Sequence, residues 1–414
     1  MKNNQTPEIR FPGFIEYWKQ QKLGDLADFS KGNGYSKSDL TNEGEPIILY
    51  GRLYTKYETV IQSVDTFTIE KEKSVVSKGN EVIVPSSGET SEDISRASVV
   101  KEPGIILGGD LNIIRPTNDI DSVFLALSIS NGKQRKELIK RAQGKSVVHL
   151  HNSDLKEVNL SFSKKEEQTK IADFFKQLDA TIVFQEQELT TLKQTKKGFL
   201  QKMFPKEGES VPEVRFSGFT GDWEQRKLRE MLADPVTDGP HETPKLEESG
   251  IPFISVDAIV DNQIDFDRKR GYISEETDEL YSKKYRPQYH DVFLVKSGST
   301  VGKTAIVETK ERFNIWSPLA AMRVGEVSDP YFLYFLLQTR KVQNQVKDKA
   351  SSGTQPNLGM RELEKFHTQI TPNLEEQKKI GAFFQQLDNL ITLHQRELDA
   401  LKETKKAFLQ KMFV

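Results

Sequence analysis

Apolar residues recur in alternating steps of three and four along two stretches of the chain, which begin near residues 166 and 375. This a/d heptad pattern predicts two long helices that pair as a coiled coil. A helix of about 38 residues is roughly 57 Å long at 1.5 Å per residue. The predicted seam residues are Ile171, Phe175, Leu178, Ile182, Leu189, Leu192, Phe199 and Met203 in the first helix, and Ile380, Phe384, Leu387, Ile391, Leu398, Leu401, Phe408 and Met412 in the second.

The two stretches are copies of one another, identical at 24 of 39 aligned positions between residues 166–204 and 375–413. An earlier segment is copied as well, because Pro-Glu-Ile-Arg-Phe at residues 7–11 returns as Pro-Glu-Val-Arg-Phe at residues 212–216. A repeat of this length far exceeds the roughly 20–50 residues of a solenoid unit. The chain is therefore predicted to be a duplicated module with a pseudo-twofold axis, which suits a pseudo-symmetric partner such as duplex DNA.

Two helices related by a twofold axis perpendicular to them run antiparallel, so we expect an antiparallel pair. One register places polar seam positions opposite polar ones, and buried polar groups at a seam fix such a register. It pairs Gln185 with Lys405, Lys196 with His394, Leu189 with Leu401, Leu192 with Leu398, Ile182 with Phe408, and Leu178 with Met412. Coiled coils between separate chains have similar seams, and the sequence leaves that alternative open.

The segments between the copied stretches share an outline, while their residues differ. Each has a strand-like and turn-rich beginning, a β-branched run that ends in Ser-Gly, a helix-like stretch and a polar loop that contains glycine. The first three features lie at residues 45–50, 81–88 and 121–141 in the first segment, and at 250–255, 291–298 and 329–349 in the second. This outline predicts two similar domains that have diverged.

The predicted fold class is α+β, with two pseudo-symmetric mixed α/β domains separated by two long helices that form an antiparallel coiled coil. A chain of 414 residues is long enough for more than one hydrophobic core. The predicted boundaries are 1–160 for the first domain, 161–206 for the central helix, 207–370 for the second domain and 371–414 for the C-terminal helix.

Lysine and arginine concentrate at matching places in the two segments, although the net charge of the chain is −2. Any basic surface that binds DNA must therefore be local. A basic helix that leads into a polar loop predicts phosphate contacts, and a solvated helix face is the alternative. The candidates are Lys133, Arg135, Lys136, Lys140, Arg141 and Lys145 in the first segment, and Arg340, Lys341, Lys347, Lys349, Thr354, Gln355 and Asn357 in the second.

Residues 297–304, Ser-Gly-Ser-Thr-Val-Gly-Lys-Thr, are similar to a phosphate-binding loop. That loop requires a glycine five residues before Gly302, and Ser297 occupies this position. We interpret the segment as a tight polar hairpin instead. Its candidate DNA-facing residues are Lys296, Ser299, Thr300 and Lys303, and those of the matching first segment are Ser86 and Ser87.

Composition narrows the possible chemistry further. The chain has no cysteine, which removes disulfides and Cys-ligated zinc, and it has only six histidines, none in a His-Glu-x-x-His arrangement. We expect no metal and no cofactor. No apolar run approaches the ~18 residues of a membrane span, and the first residues lack the apolar core of a signal peptide. The predicted location is the cytoplasm.

These motifs together resemble those of one family, the specificity subunits of type I restriction–modification enzymes. The resemblance rests on the Glu-Glu-Gln-x-Lys-Ile-x-x-Phe-Phe-x-x-Leu-Asp opening of each long helix and on the Phe-Leu-Gln-Lys-Met-Phe ending. Gly-Thr-Gln-Pro-Asn-Leu at 353–358 and Gln-Ile-Thr-Pro at 369–372 support it. The match covers essentially the whole chain, although the first copy departs from the family's loop at residues 144–150.

The resemblance implies two target-recognition domains, each of which reads one half of a bipartite double-stranded DNA target. It also implies that the helix pair sets the spacing of the halves and docks two methyltransferase (modification) subunits, with a restriction/translocase subunit completing the assembly. The chain itself would perform no chemistry. In agreement, no Pro-Pro pair of an adenine-methylation motif occurs in the sequence. A structural adaptor and a fused NTPase or nuclease component remain as alternatives.

Overall fold

The computed structural model describes residues 6–142, 144, 147–351 and 355–414. The chain forms two compact units, one of Met1–Glu186 with Arg396–Val414 and the other of Gln187–Gln395. Among the described residues, no helix combines the length and the apolar character that a membrane crossing requires.

The first unit is rich in short strands. Its strands are β1 (Lys19–Lys22), β2 (Ala27–Lys31), β3 (Leu40–Thr41), β4 (Glu45–Ile48), β5 (Val60–Ile61), β6 (Phe67–Thr68), β7 (Val76–Lys78), β8 (Glu81–Pro85), β9 (Ser87–Gly88), β10 (Ser98–Val100), β11 (Pro103–Leu107), β12 (Leu111–Pro116), β13 (Val148–His149) and β14 (Asn159–Phe162). Its helices are α1 (Arg52–Thr55), α2 (Ser91–Ile94), α3 (Ser122–Ser130), α4 (Gly132–Arg141), α5 (Asn152–Lys156) and the first half of α6 (Lys165–Lys202), with 3-10 turns at Leu23–Asp25 and Lys37–Asp39.

Two five-stranded sheets form the body of this unit, in the orders β2-β12-β8-β10-β5 and β3-β6-β4-β11-β7. The alternation of side chains along a strand explains their packing. Val82 and Val84 of β8 join the core that contains α3, while Ile83 between them joins the core that contains β4 and β11. Strand β8 is therefore buried on both faces, which is why its sequence is a continuous apolar run.

The second unit repeats this plan with fewer strands. Its strands are β15 (Glu224–Lys227), β16 (Thr237–Asp238), β17 (Ile251–Ile254), β18 (Ile259–Val260), β19 (Gln263–Ile264), β20 (Gly271–Ile273), β21 (Val292–Val295), β22 (Thr304–Ile306), β23 (Asn314–Ile315), β24 (Leu319–Met322) and β25 (His367–Ile370). Its helices are α7 (Glu275–Ser282), α8 (Pro330–Gln338), α9 (Arg340–Lys349), α10 (Met360–Glu364) and most of α11 (Leu374–Lys411), with 3-10 turns at Leu228–Met231, Val256–Ala258 and Phe266–Arg268.

Its main sheet has the order β16-β24-β21-β22, and β17 lies between β20 and β23 in a second sheet. As in β8, side chains of β21 alternate between two cores. Val292 and Leu294 pack with α8, whereas Phe293 and Val295 pack with the strand residues Ala305 and Leu319. The α+β fold class with two similar domains and two long helices is confirmed.

The helix-like stretch predicted near the end of each domain is two helices rather than one. In the first unit α3 ends before Asn131 and α4 begins at Gly132, which has a φ of 63°. In the second unit Thr339 separates α8 from α9 with extended backbone, at φ −64° and ψ 150°. The helical backbone is interrupted at these points, so the apolar helix and the basic helix of each pair are separate elements.

The long helices run antiparallel, as predicted. Within the first unit, Phe174 of α6 contacts Phe408 of α11 with ring centroids 5.1 Å apart, and Glu186 pairs with Lys402 at 2.6 Å. The partner on α11 moves from residue 408 back to residue 402 as the position on α6 advances from 174 to 186, which shows that the helices are antiparallel. Within the second unit, Phe199 contacts Phe383 at 5.1 Å in the same sense.

The contacts within each unit differ from the predicted register at three of its positions. Lys405 forms an ion pair with Asp179 rather than lying opposite Gln185, and Phe408 meets Phe174 rather than Ile182. In the second unit Lys196 pairs with Asp388 at 2.6 Å rather than with His394. These partners lie six to eight residues from the predicted ones, which corresponds to about two helical turns. The predicted pairs Leu189–Leu401 and Leu192–Leu398 join residues of different units and remain predictions.

The equivalent lysines of the two helices, Lys196 and Lys405, therefore form ion pairs with equivalent aspartates. Asp179 and Asp388 occupy the same place in the two copies, as do Lys196 and Lys405. Burial raises the pKa of Asp388, and the ion pair with Lys196 opposes that rise. Each of the sixteen seam residues is buried or half-buried.

The opening of each long helix anchors the domain that precedes it. Glu167 accepts two hydrogen bonds from Arg10, Nε to Oε1 at 2.8 Å and Nη2 to Oε2 at 2.7 Å. Glu376 accepts the same pair from Arg215, at 2.6 and 2.8 Å. Both carboxylates are buried. The second glutamate of the Glu-Glu-Gln sequence is thus structural in both copies.

The glutamine that follows completes each anchor. Gln168 Oε1 accepts the backbone N–H of Asp121 at 2.9 Å, and Gln377 Oε1 accepts that of Asp329 at the same distance. Asp121 and Asp329 cap the N-termini of α3 and α8 with their own side chains. The long helix, the N-terminal segment and the helix on the sheet are in this way fixed to one another within each unit.

Candidate nucleic-acid interface

In the first unit, the Ser-Gly segment after β8 meets the loop that follows α4. Gly88 pairs with Val148 and Ser87 with His149 in the short β9–β13 ladder. The N–H of Leu150 donates to the carbonyl of Ser86 at 3.0 Å. Two segments that are distant in sequence therefore form one junction at the end of the sheet.

The second unit builds the same junction from different residues. Ser297 and Asn357 form a β-bridge, and the N–H of Gly298 donates to the carbonyl of Pro356 at 3.0 Å. The N–H of Leu358 donates to the carbonyl of Lys296 at 2.7 Å. The hairpin and the polar loop predicted from the sequence are thus in contact.

Residues 297–303 form a hairpin turn between β21 and β22. Val295 donates to the carbonyl of Lys303 at 2.8 Å and Gly302 donates back to that of Val295 at 2.9 Å. A phosphate-binding loop leads into a helix whose N-terminus faces the phosphates, whereas this turn leads into strand β22. The geometry therefore argues against a nucleotide site here.

The first-domain candidates differ in accessibility. Lys133, Lys136 and Lys140 are exposed, while Arg135 is half-buried and Arg141 is half-buried in an ion pair with Glu137 at 2.8 Å. The backbone N–H of Lys133 donates to the carbonyl of Val414, at the end of α4 away from the loop. About 12 Å of helix separates Lys133 from Arg141. Lys140 is the exposed lysine of the set that lies nearest the junction.

Ser86 and Ser87 are buried, at 3% and 8% exposure, so we leave them out of the proposed contact surface. Lys145 lies outside the described residues. His149 and His151 are exposed at this junction instead, and their rings stack with centroids 6.2 Å apart. The sequence interpretation missed them because their exposure depends on the β9–β13 pairing.

The second-domain candidates gather more closely. Ser299, Lys303, Gln355 and Asn357 are exposed around the junction, and Thr300 is half-buried. Helix α9 packs against the hairpin, because Gln343 Nε2 donates to the carbonyl of Gly302 at 2.9 Å. Thr354 lies outside the described residues.

The basic residues of α9 divide into two groups. Lys347 and Lys349 are exposed at the end of the helix that leads into the loop. Arg340 is exposed at the opposite end, away from the junction. Lys341 is half-buried, donates to Gln369 Oε1 at 3.0 Å, and has its pKa lowered by burial. Of the four candidate cations of α9, Lys347 and Lys349 therefore lie exposed at the end that leads to the junction.

Lys296 is buried at 8% exposure and forms an ion pair with the buried carboxylate of Asp238 at 3.2 Å. Lys284 pairs with the other oxygen of Asp238, and Ser317 Oγ donates to Asp238 Oδ2 at 3.2 Å. Burial raises the pKa of Asp238, but the two lysines together lower it by more than burial raises it. The net pKa therefore lies below its ordinary value. Lys296 is thus a structural cation, contrary to its predicted role at the surface.

This cluster was not predictable from sequence, because its members come from separate strands and loops. In the described part of the chain, no group of three or more acidic or histidine side chains has a geometry suited to a metal ion.

Comparison with known proteins identifies the family. A statistical model of the type I restriction modification DNA specificity domain matches residues 15–194 and again residues 220–403. The chain belongs to the specificity subunits of type I restriction–modification enzymes. The two matches coincide with the two copies of the repeat.

Similar specificity subunits come from Methanocaldococcus jannaschii. The type I restriction enzyme MjaVIII specificity subunit is 23% identical over 95% of this chain and 91% of its own length. The putative MjaX specificity subunit is 29% identical, over 50% of this chain and 48% of its own length. This chain therefore spans about half of the second relative and nearly all of the first.

Solved structures show the same fold. The S subunit of a type I restriction–modification system from M. genitalium superposes with a TM-score of 0.64 at 16% identity, covering 99% of both chains. A chain from a study of complex assembly and conformational transition of the type I system superposes at 0.55 and 17% identity, covering 97% of this chain and 98% of that one. At these identities the likeness concerns the fold.

Proposed function

We propose that this specificity subunit binds a bipartite double-stranded DNA target, with each domain reading one half. One observation carries the proposal. The hairpin-and-loop junction recurs in both units on a repeated frame, but its residues differ between the copies. Two similar domains with different contact residues suit two different half-sites, because bases are read by the side chains that reach their edges.

The proposed contact surface of the second domain centres on the junction. Exposed lysines there neutralise phosphates and position the domain, and polar loop side chains face the groove. The surface comprises Ser299, Thr300, Lys303, Lys347, Lys349, Gln355 and Asn357 in the second domain, and Lys136, Lys140, His149 and His151 in the first. Lys145 and Thr354 keep their predicted roles.

We propose further that the long helices dock two methyltransferase subunits and set the distance between the half-sites. Phe184 of α6 and Leu393 of α11 occupy equivalent positions in the two copies, and each is more than half exposed, at 57% and 52%. An apolar side chain exposed at the same place in both copies suits two copies of one partner. A restriction/translocase subunit would join through that complex.

In this proposal the subunit is not catalytic and acts in the cytoplasm, and the predicted boundaries at residues 160, 206 and 370 separate its functional parts. The methyl transfer and DNA cleavage belong to the partner subunits. The chain contributes the choice of sequence and the geometry of the assembly.

A binding titration on the assembled complex tests the proposal. Fluorescently labelled duplexes with the target, with either half scrambled, or with both halves scrambled are titrated at several salt concentrations. Specific binding is expected to exceed non-specific binding by at least about 10³-fold, with affinity falling steeply as salt rises. Equal affinity for all four duplexes would contradict sequence recognition and favour the adaptor.

The NTPase alternative has its own test. Purified chain is incubated with ATP and Mg²⁺, and phosphate release is compared with that of Lys303→Ala. We expect no turnover above background in either protein, since the Lys303 segment is a strand-connecting turn. Turnover that disappears in Lys303→Ala would reinstate the enzyme interpretation.

A further inference from the structure

Strands β16 and β23 of the second unit end in one corner, next to the hairpin junction. The N–H of Trp316 donates to the carbonyl of Ile254 at 2.9 Å, and the N–H of Ser317 donates to that of Pro240 at 3.1 Å. The N–H of Lys296, at the base of the hairpin, donates to the carbonyl of Pro318 at 2.8 Å. The corner is therefore continuous with the proposed contact surface.

An arginine lies over the ring of a tryptophan in this corner. The guanidinium carbon of Arg270 is 4.2 Å from the ring centroid of Trp316. Trp316 is itself half-buried and packs against the core around Phe253 and Tyr281. Arg270 is exposed, and among the described residues its guanidinium makes no hydrogen bond or ion pair.

This arrangement holds a cation in place without using its donors. Stacking on an indole fixes the plane of the guanidinium through the ring face. The five N–H groups of arginine then remain available at the ring edge. A preordered guanidinium with free donors matches the two acceptors, O6 and N7, that guanine presents in the major groove.

A second cation stands in the same corner. Lys284 is about half exposed, pairs with Asp238, and donates to the carbonyl of Gly239 at 3.0 Å. An ammonium has three donors, so one remains for an external acceptor. Gly239 is tied to the tryptophan strand, because a Cβ on it would lie 1.9 Å from the carbonyl oxygen of Ile315. Asp238 thereby holds Lys284 next to Gly239, at the end of the strand that leads into Trp316.

Among its described residues, the first unit has no equivalent stacked pair. Its equivalent of Trp316 is Gly108, whose N–H donates to the carbonyl of Ile48 at 2.9 Å in the same parallel strand pair. A Cβ on Gly108 would lie 2.5 Å from Leu49 Cδ2, so Leu49 would have to shift to admit a side chain there. The next residue is Gly109 where the second unit has Ser317. The corner is thus specific to one copy of the repeat.

We propose that Arg270, stacked on Trp316, reads a guanine in the half-site of the second domain. Lys284, held by Asp238, supplies a neighbouring contact, and Asp238 acts as a positioning residue. The inference rests on the proposed function, since it assigns one base contact within it. The base is guanine, the residue that contacts it is Arg270, and the half-site is that of the second domain.

The test measures base preference rather than affinity alone. The methylated target of the complex is mapped first, and methylation rates are then measured on duplexes that carry each base pair in turn at every target position. The variants are Arg270→Ala, Arg270→Lys and the control Arg268→Ala. Arg268 is an exposed arginine two residues away that pairs with Asp265, so its loss changes the net charge equally.

Arg270→Ala is expected to lower discrimination for guanine at one position by about 5- to 150-fold, the range of a good bidentate contact. The other positions of the second half-site keep their preferences, which shows that the second domain is still folded. The guanine discrimination of Arg270→Lys is expected to lie between that of the unsubstituted complex and that of Arg270→Ala, because lysine lacks the planar fork. Arg268→Ala is expected to leave every preference unchanged.

Two results would overturn the proposal. One is an equal loss on all duplexes, which would make Arg270 a phosphate contact. The other is unchanged preference at every position of the second half-site. Failure of the proposed function looks different, because the unsubstituted complex would then show no bipartite target at all.

Discussion

Removal of Arg10 is expected to destabilise the first unit strongly, because Arg10 is the main partner of a buried carboxylate. Glu167 is 1% exposed and accepts two hydrogen bonds from Arg10 and one from Trp18 Nε1 at 3.2 Å. In Arg10→Ala the tryptophan alone remains to compensate the charge. Breaking a buried pair from one side costs about 3–5 kcal/mol.

The matched control is Arg226→Ala. Arg226 pairs with Glu224 at 2.7 Å, but both side chains are partly exposed to solvent, at 37% and 48%. Exposed pairs contribute about 0–1 kcal/mol. For a unit of this size, 1 kcal/mol shifts the melting temperature by about 2–4 °C. Arg10→Ala should therefore lower it by about 6–20 °C and Arg226→Ala by no more than about 4 °C.

Differential scanning calorimetry of the full chain measures both shifts. A double variant, Arg10→Met with Glu167→Met, is expected to recover much of the loss, because replacing both charges removes the unpaired carboxylate. If Arg10→Ala melted no lower than Arg226→Ala, the anchor would not contribute as the contacts indicate. Arg215→Ala tests the same reasoning in the second unit.

Three further predictions concern the long helices. Phe174→Cys with Phe408→Cys should crosslink efficiently on oxidation, since these rings are in contact, whereas efficient crosslinking of Ile182→Cys with Phe408→Cys would restore the sequence-based register. Phe184→Glu should weaken methyltransferase binding in a pull-down by at least tenfold relative to Thr181→Glu on the same exposed surface, and equal binding would remove that side chain from the docking surface. Insertion of one heptad into the centre of each helix lengthens it by about 10 Å while keeping the seam. At 3.4 Å per base pair, the optimal gap between half-sites should widen by one to about three base pairs, and an unchanged gap in gel-shift binding would show that the helices are not the ruler.

The repeated frame was predictable because its signals are local in sequence. Heptad spacing marks an apolar stripe on one helix, and a copied motif marks an equivalent contact in both units. The direction of the helix pair followed from symmetry. The role of Glu167 was not predictable, because its partner Arg10 is 157 residues away.

The register failed for a physical reason. A heptad pattern repeats every seven residues, so several alignments of two helices match apolar with apolar equally well. Lys405 forms its ion pair with Asp179, whose side chain lies beside the seam rather than within it. The aromatic contact between Phe174 and Phe408 also contributes to the alignment. Phe408 is a seam residue, whereas Phe174 lies beside the seam.

The candidate interface was predicted in part. Glycine, polar residues and basic residues correctly marked the segments that meet at the junction, since turns and charge are properties of short sequences. Burial is a property of the folded core, and it separated Lys296 from Lys303 although the two are neighbours on one hairpin. The Arg270–Trp316 stack joins residues 46 positions apart through a parallel strand pair.

Genome-wide mapping of methylated sites is the decisive experiment on the bipartite target. Cells that carry this chain with its methyltransferase are compared with cells in which residues 20–155 are replaced by the matching segment of a relative. The native chain should direct methylation to one sequence with two fixed halves and a constant gap. The exchanged chain should change one half and keep the other half and the gap. A change in both halves, or methylation without a bipartite sequence, would contradict the account.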